Sequence, residues 1–359
     1  MKRNRNLFSR KRAFFCIVWT IFVFFCLFLS PQDSITQTIE LKFSHWIPPS
    51  SIYHYGAYVP WAKEIERLTG GRVNIKFYQM EALGKAKDHY QLCIQGLADI
   101  VMIDPEWTPG LFPLSQAISL PFLFFSAEAA SAAYYEINEK YLSNTEFKHV
   151  KLLWTQTTSP AAIHTVKKPV HSMEDLKGLV VGVTSRPAIE CIKLLGSSPQ
   201  FVPMPDIYTA LEKGVLDGFV QTWSAAKAFR CYEVTKYRTD LKIWVDKMAI
   251  LMNMDKWNKL PPDVKDIFER TTGLEKSRAT GAIYDQHNEK EALEQIIKPY
   301  DSQHGNPPIY SLSREEILRW KEIVKPMWEN WVRQKESEKL PARAFFNDLL
   351  KAAEKYNPK

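Results

Sequence analysis

Thr38-Ile-Glu-Leu-Lys-Phe43 alternates apolar and polar residues as a half-buried strand does, and the segments after it repeat the rhythm. Ser44-His45-Trp46-Ile47-Pro48-Pro49 reads as a loop. A helix is expected from about Tyr53 to Thr69, stopped by Gly70-Gly71. Arg72 to Tyr78 alternates again, and a second helix, about Lys85 to Gly96, leads to a third strand, Ile100 to Ile103. The order β-α-β-α-β is that of a mostly parallel sheet with covering helices, so the fold class is α/β.

Downstream, Pro109 to Tyr141 combines a proline-containing loop with a helix over Ala127–Tyr141, and Lys151 to Thr155 reads as a strand. Asp175-Leu-Lys-Gly-Leu-Val-Val-Gly182 opens a second set: strand Leu179–Val183, helix Pro187–Leu195, strand Gln200–Val202, helix Ile207–Lys213 and strand Gly218–Val220. That is a second lobe. Ile243–Asn253 reads as a strand returning to the first. Pro261-Pro262 starts a helix expected to run to Ile297, about 50 Å at ~1.5 Å per residue, long enough to brace both lobes. A strand at Ile309–Leu312 and a helix at Arg314–Glu336 follow, with Ser313 and Glu316 spaced as a capping box. The expected organisation is a leader over 1–36, a first lobe over 37–160 plus 250–290, and a second over 161–249 plus 291–359.

In the leader, Lys2, Arg3, Arg5, Arg10, Lys11 and Arg12 precede an apolar run from Ala13 to Leu29, the charge order of an export signal. The run is slightly long for a signal peptide and slightly short for a membrane span. A cleaved signal and an uncleaved N-terminal anchor both stay open; either exports the body. Residues 1–36 hold six basic residues and one acid, Asp33, so they carry five of the formal +7 and leave the body near +2. A nucleic-acid binder would need a basic stripe. About 320 further residues suit two lobes rather than one small core. Cys93, Cys191 and Cys231 make an odd set, so no disulfide framework is expected; Cys191 and Cys231 could pair, with buried free thiols as the alternative. There is no HExxH, GxSxG, GxxxxGK[ST] or GxGxxG after a strand, and His54, His164 and His171 lack metal-ligand spacing. The reading is a non-enzyme without cofactor.

Leu41-Lys-Phe-Ser-His-Trp-Ile-Pro-Pro49, Gly70-Gly-Arg-Val73, Leu83-Gly-Lys85, Gly96-Leu-Ala-Asp-Ile100 and Leu120-Pro-Phe-Leu-Phe124 resemble the first lobe of the solute-binding proteins of TRAP transporters, the DctP-like family. Ile163-His-Thr-Val-Lys-Lys-Pro-Val170, Asp175-Leu-Lys-Gly178, Ala210-Leu-Glu-Lys-Gly-Val-Leu-Asp-Gly218 and Tyr232-Glu-Val234 resemble its second lobe. Lys256-Trp257 and Leu260-Pro-Pro-Asp-Val264 resemble the start of its long helix. The resemblance spans about residues 38 to 355. It implies a two-lobed periplasmic-binding-protein fold with hinge strands, a periplasmic location, a small organic solute in the cleft, and small and large TRAP membrane subunits as partners.

In that family the strand after Leu-Lys-Gly usually ends in an arginine that grips a carboxylate; here the position is Gly182. Arg186, four residues on, could reach back or could be a solvated helix-start residue. Asp104 ends the strand Ile100–Ile103, either as an anion facing the cleft or as a loop cap before Pro105. Trp46, Trp107, Trp154 and Trp223 fall at or near strand ends, where aromatic faces suit a cation or a ring. His45, Gln156, His164, Ser185 and Gln221 are candidate hydrogen-bonding groups. The missing arginine, Asp104 and the tryptophans point to an amine-bearing or zwitterionic solute. A carboxylate or sulfonate held by Arg186 or other donors is the alternative, then a neutral or aromatic solute; an exported enzyme or an anchored interaction protein is remote.

Overall fold

The computed structural model describes residues 38–108 and 110–358; the leader lies outside them, and with it the choice between signal and anchor. In chain order the strands are β1 (Ile39–Ser44), β2 (Val73–Tyr78), β3 (Ile100–Ile103), β4 (Val150–Thr157), β5 (Ala162–Thr165), β6 (Val180–Val183), β7 (Ser198–Phe201), β8 (Gly218–Gln221), β9 (Tyr237–Asp240), β10 (Lys247–Asn253) and β11 (Tyr310–Ser311). They form two sheets, ordered β2-β1-β3-β10-β4 and β11-β9-β5-β8-β6-β7. β1 runs parallel to β2 and β3, and β6 parallel to β7 and β8, as the βαβ reading requires. β10 is antiparallel to both its neighbours, β3 and β4.

The chain passes between sheets by two extended crossings, after β4 and before β10, and a third time through the helices between β10 and β11. The two extended crossings lie side by side: Thr158 N donates to Asp246 O at 2.8 Å and Ala161 N to Trp244 O at 2.9 Å. They form a paired hinge. No helix among the described residues is long and apolar enough to cross a membrane. Cys93, Cys191 and Cys231 are buried and free, so Cys191 and Cys231 are not paired.

The long helix is broken once. Pro262–Thr271 ends at Thr272, and Gly273, in the left-handed region at φ +80°, restarts it as Gly273–His287. Thr271 and Thr272 hydroxyls donate back to Ile267 O (2.8 Å) and Phe268 O (2.7 Å), which favours helix termination there. Beyond Gly273 the helix continues as wider π-type turns over Asn288–Ile297 and ends with Lys298–Gln303. One stretch of it holds both lobes. The Asp285 carboxylate accepts from Ala127 N (2.9 Å) and Glu128 N (3.0 Å), the start of first-lobe helix Ala127–Ile137. On the other side Asn288 Oδ1 accepts from Ser224 N (2.9 Å), near the start of second-lobe helix Trp223–Ala228.

The expected helix Arg314–Glu336 is two, Arg314–Val324 and Pro326–Ser337, because Pro326 has no N–H to continue the ladder. Ser313 Oγ caps the first by accepting from Glu316 N (3.1 Å), but the Glu316 carboxylate accepts from Met173 N (2.8 Å) instead of closing a box. The assignment of all of 291–359 to the second lobe does not describe the C-terminal helices. Trp331, Val332, Phe345, Phe346 and Leu349 pack with Val101, Ile103, Ala249 and Leu251 of the first sheet, burying an apolar helix face that water would otherwise meet.

Gly281 lets the long helix approach Ala127: a Cβ there would lie 2.5 Å from Ala127 O and 2.6 Å from Glu128 Cα. Gly281→Val is expected to lose about 2 kcal/mol or more of stability by overpacking, while Ala279→Val, at an exposed helical site, loses no more than about 0.7 kcal/mol. Urea unfolding of both variants checks this; equal losses would contradict the close-approach account.

Candidate ligand-binding site

Between the sheets, at the carboxyl ends of β1, β3, β6 and β8, lies a cavity of about 480 Å³, mouth included. Open α/β sheets place ligands at this end. Trp46 and Ile47 reach it from the loop after β1, Asp104 and Trp107 from the turn after β3, and Thr184 from the end of β6. Gln221, Ala225 and Phe229 come from β8 and the helix after it. Asp246 comes from the hinge, Met248 from β10 and Tyr284 from the long helix; Ser51, Tyr53, Thr158, Met204, Ser224 and Ala228 complete the wall.

Five of the wall residues are aromatic: Trp46, Tyr53, Trp107, Phe229 and Tyr284. The Trp46 ring lies 4.7 Å from that of Trp107 and 6.1 Å from that of Phe229, while Tyr53 stacks on Tyr284 at 4.5 Å. Most polar tips are already engaged: Trp107 Nε1 donates to Thr184 O (3.1 Å) and Tyr53 OH to Thr157 O (2.7 Å). The Trp107 bond crosses between lobes. Trp46 Nε1 is buried without a partner among the described residues.

Two carboxylates line the cavity. Asp104 Oδ1 accepts from Glu106 N (2.9 Å), so Asp104 both caps the turn before Pro105 and faces the cavity. Asp246 Oδ2 accepts from Thr184 Oγ1 (2.8 Å) and from Gln221 Nε2; Oδ1 is buried with no partner among the described residues. Beside them Lys247 Nζ meets Glu106 Oε1 at 2.8 Å with both side chains fully buried, and also donates to Ser119 Oγ (3.2 Å). Burial pushes the Asp104 carboxyl well above the usual carboxylate range, with the Lys247 charge opposing. Burial also raises Asp246, against the Thr184 hydrogen bond. Burial alone would lower the Lys247 ammonium, but Glu106 and then Asp104 outweigh it and the net shift is upward. Among the described residues no Lys or Arg lines the cavity.

The model of the family "bacterial extracellular solute-binding protein, family 7" (DctP) matches residues 43–335. The chain belongs to this family. It is 26% identical over 317 residues to the C4-dicarboxylate-binding periplasmic protein DctP of Rhodobacter capsulatus, covering 86% of this chain and 91% of that one. Its fold matches a TRAP solute-binding protein from Rhodoferax ferrireducens, in complex with copurified benzoate, with a TM-score of 0.83 and 25% identity, over 89% of this chain and 98% of the other. A TRAP periplasmic solute-binding protein from Desulfovibrio salexigens, in an open complex, is 30% identical with a TM-score of 0.74, over 89% and 96%.

In this DctP-family protein, the cavity gathers Trp46, Asp104, Trp107 and Gln221 of the candidate residues. The others lie outside its lining. His45 is bound to Ile47 O and to His54, both at 3.1 Å. Trp154 Nε1 donates to Gln156 Oε1 (3.1 Å), and Gln156 Nε2 donates to Tyr58 OH (2.7 Å), in the first-lobe core. His164 stacks on Phe219 at 4.6 Å and takes the edge of Trp223 at 5.0 Å, so both rings turn into the second lobe. Burial lowers the His164 imidazole to about 3, and its Nε2–H donates to Gln221 O (3.1 Å). Ser185 caps helix Arg186–Leu194. Arg186 lines a separate groove with Glu190, Trp331, Lys335 and Glu338.

Gly182 faces the second-lobe core. A Cβ there would lie 2.6 Å from Leu216 Cδ1 and 3.0 Å from Ile207 Cδ1. The space an arginine stem would need is filled by those two side chains. Sequence reasoning missed Asp246, Phe229, Met204 and Tyr284. The pair Asp246-Lys247 inside an otherwise apolar expected strand was the available signal, since buried charges occur in partnered sets.

Gly182→Arg is expected to destabilise by about 1–3 kcal/mol through overpacking without conferring binding of succinate. A thermal melt and a succinate titration check it; a stable variant that binds succinate would contradict it. Lys247→Met leaves the carboxylates without their cation and is expected to cost about 3–5 kcal/mol near pH 8. Because burial raises the folded-state pKa of Asp104 and Asp246 above that of the unfolded chain, their ionised forms destabilise the fold at high pH, and protonation relieves this as pH falls. The deficit of Lys247→Met therefore shrinks towards about pH 5; a pH-independent deficit would argue that Lys247 acts only by packing.

Proposed function

We propose that this protein is a periplasmic receptor that captures a small amine-bearing solute between its lobes and delivers it to the small and large subunits of a TRAP-type membrane permease, with no chemical step. The observation that carries the solute class is the presence of both Asp104 and Asp246 in a cavity that, among the described residues, no Lys or Arg lines. Burying a carboxylate ligand there without a cation would cost several kcal/mol, roughly, even after relaxation. An ammonium supplies what these carboxylates lack, and the Trp46, Trp107 and Phe229 faces add about 0.5–2 kcal/mol each where they meet it. Arg186 sits in a separate groove, which weakens the reading in which it grips an organic acid.

A second reading has its own support. The similar proteins carry acids by name, C4-dicarboxylates in one case and benzoate in another, and an aromatic-walled cavity suits a ring. A ligand of that kind would draw first on the neutral donor Trp46 Nε1, since both Gln221 Nε2–H groups are held by Thr184 and Asp246.

Mass spectrometry of the solute released from protein purified from cells, followed by calorimetry, separates the two. The expected solute carries a basic nitrogen. Asp246→Asn is expected to weaken it at least about tenfold, roughly 1.4 kcal/mol, while Arg186→Ala changes affinity less than about twofold. The two cavity carboxyls, with Glu106 and Lys247 beside them, also fix the sign of the pH response. Asp104 and Asp246 are raised and take up protons as pH falls, so ammonium binding weakens from about pH 8 to pH 5. A released organic acid, bound more tightly at the lower pH, would overturn the amine reading.

A further inference from the structure

Two atoms of cavity-lining residues are buried without partners among the described residues, and they have opposite hydrogen-bonding sense: Asp246 Oδ1 accepts and Trp46 Nε1 donates. Buried polar atoms are nearly always paired in native proteins, and each one left unpaired is unfavourable. Neither can find a partner by a simple turn. Asp246 is held through Oδ2 by Thr184 and Gln221, and the Trp46 ring is packed against Trp107 and Phe229. The bound solute is the group that can satisfy both.

We propose that the solute is a monocation with an N–H-bearing ammonium placed at Asp246 Oδ1 and an uncharged acceptor, a hydroxyl, ether or amide oxygen, placed at Trp46 Nε1. This deepens the amine reading and rests on it. Three features of the cavity select that chemistry. A quaternary ammonium would suit the aromatic walls but has no N–H to give Asp246 Oδ1. A zwitterion would bring a carboxylate beside Asp104 and Asp246, with one neutral indole N–H as its unmet donor and no Lys or Arg on the wall. A plain alkylamine would leave Trp46 Nε1 unpaired. An amino alcohol, amino ether or amino amide leaves neither orphan.

The test is calorimetric titration of the purified protein with a series of amino alcohols, from aminoethanol to aminohexanol. Each is compared with its N-trimethyl counterpart, its ω-amino acid and the plain alkylamine of equal length. The best amino alcohol is expected to bind at least about tenfold more tightly than each of its three counterparts. Trp46→Phe is expected to remove the advantage over the alkylamine, read as the ratio of the two affinities within the variant, and Asp246→Asn to weaken both amines together. This pattern separates a directed hydrogen bond from general packing, because only the oxygen-bearing ligand senses the loss of the indole N–H. Equal or tighter binding of the N-trimethyl compound, or of the ω-amino acid, would overturn this inference while leaving an amine receptor in place. Failure of every amine together with binding of organic acids would overturn the parent reading as well.

Discussion

One buried cation organises the centre of this molecule. Lys247 Nζ sits 2.8 Å from Glu106 and is close enough to Asp104 and Asp246 for its charge to act on both. A single ammonium cannot neutralise three carboxylates. The contact goes to Glu106. Asp246 is stabilised by the Thr184 hydroxyl and the Gln221 amide, and Asp104 by one backbone N–H. What remains uncompensated faces the cavity, so the charge balance of the fold defines what the cavity lacks.

The same network ties that balance to the arrangement of the lobes. Asp104 and Glu106 follow the first sheet, Thr184 and Gln221 end strands of the second, and Asp246 and Lys247 lie at the hinge. Glu106 Oε2 also accepts from Arg186 N at 3.4 Å, and Trp107 Nε1 reaches Thr184 O, so both are bonds across the cleft. The long helix fixes the far side, with Asp285 on one lobe and Asn288 on the other. Separating the lobes would expose the cavity and break the cross-cleft bonds while leaving each sheet whole. This is the geometry of hinge closure around a ligand.

The sheets were legible because the two-residue period survives in strands with one wet face, as in Ile39–Ser44. The βαβ order followed from Gly70-Gly71 and similar stops. Pro326 was visible as a break within the expected helix Arg314–Glu336, and Thr271-Thr272-Gly273 carried a stop signal within the expected brace Pro262–Ile297, but each expectation ran through its break. In the site, Trp46, Asp104, Trp107 and Gln221 obey the strand-end rule. Gly182 does not, because Val180-Val181-Gly182-Val183 is apolar on both faces and no alternation reveals which side looks into the cleft. Trp223 fails for a related reason: its backbone starts a helix beside the cavity, but its ring turns to His164. Asp246 was hidden inside the expected strand Ile243–Asn253; the strand starts only at Lys247, which leaves Asp246 in the hinge, where its side chain can face the cavity.

The most direct measurement is a crystal structure of the protein with the solute it retains on purification from cells. A ligand nitrogen within about 3 Å of Asp246 Oδ1, with no Lys or Arg side chain touching the ligand, is the result this account predicts. A ligand carboxylate in the cavity, held by an arginine or lysine drawn in from outside its present lining, would contradict it.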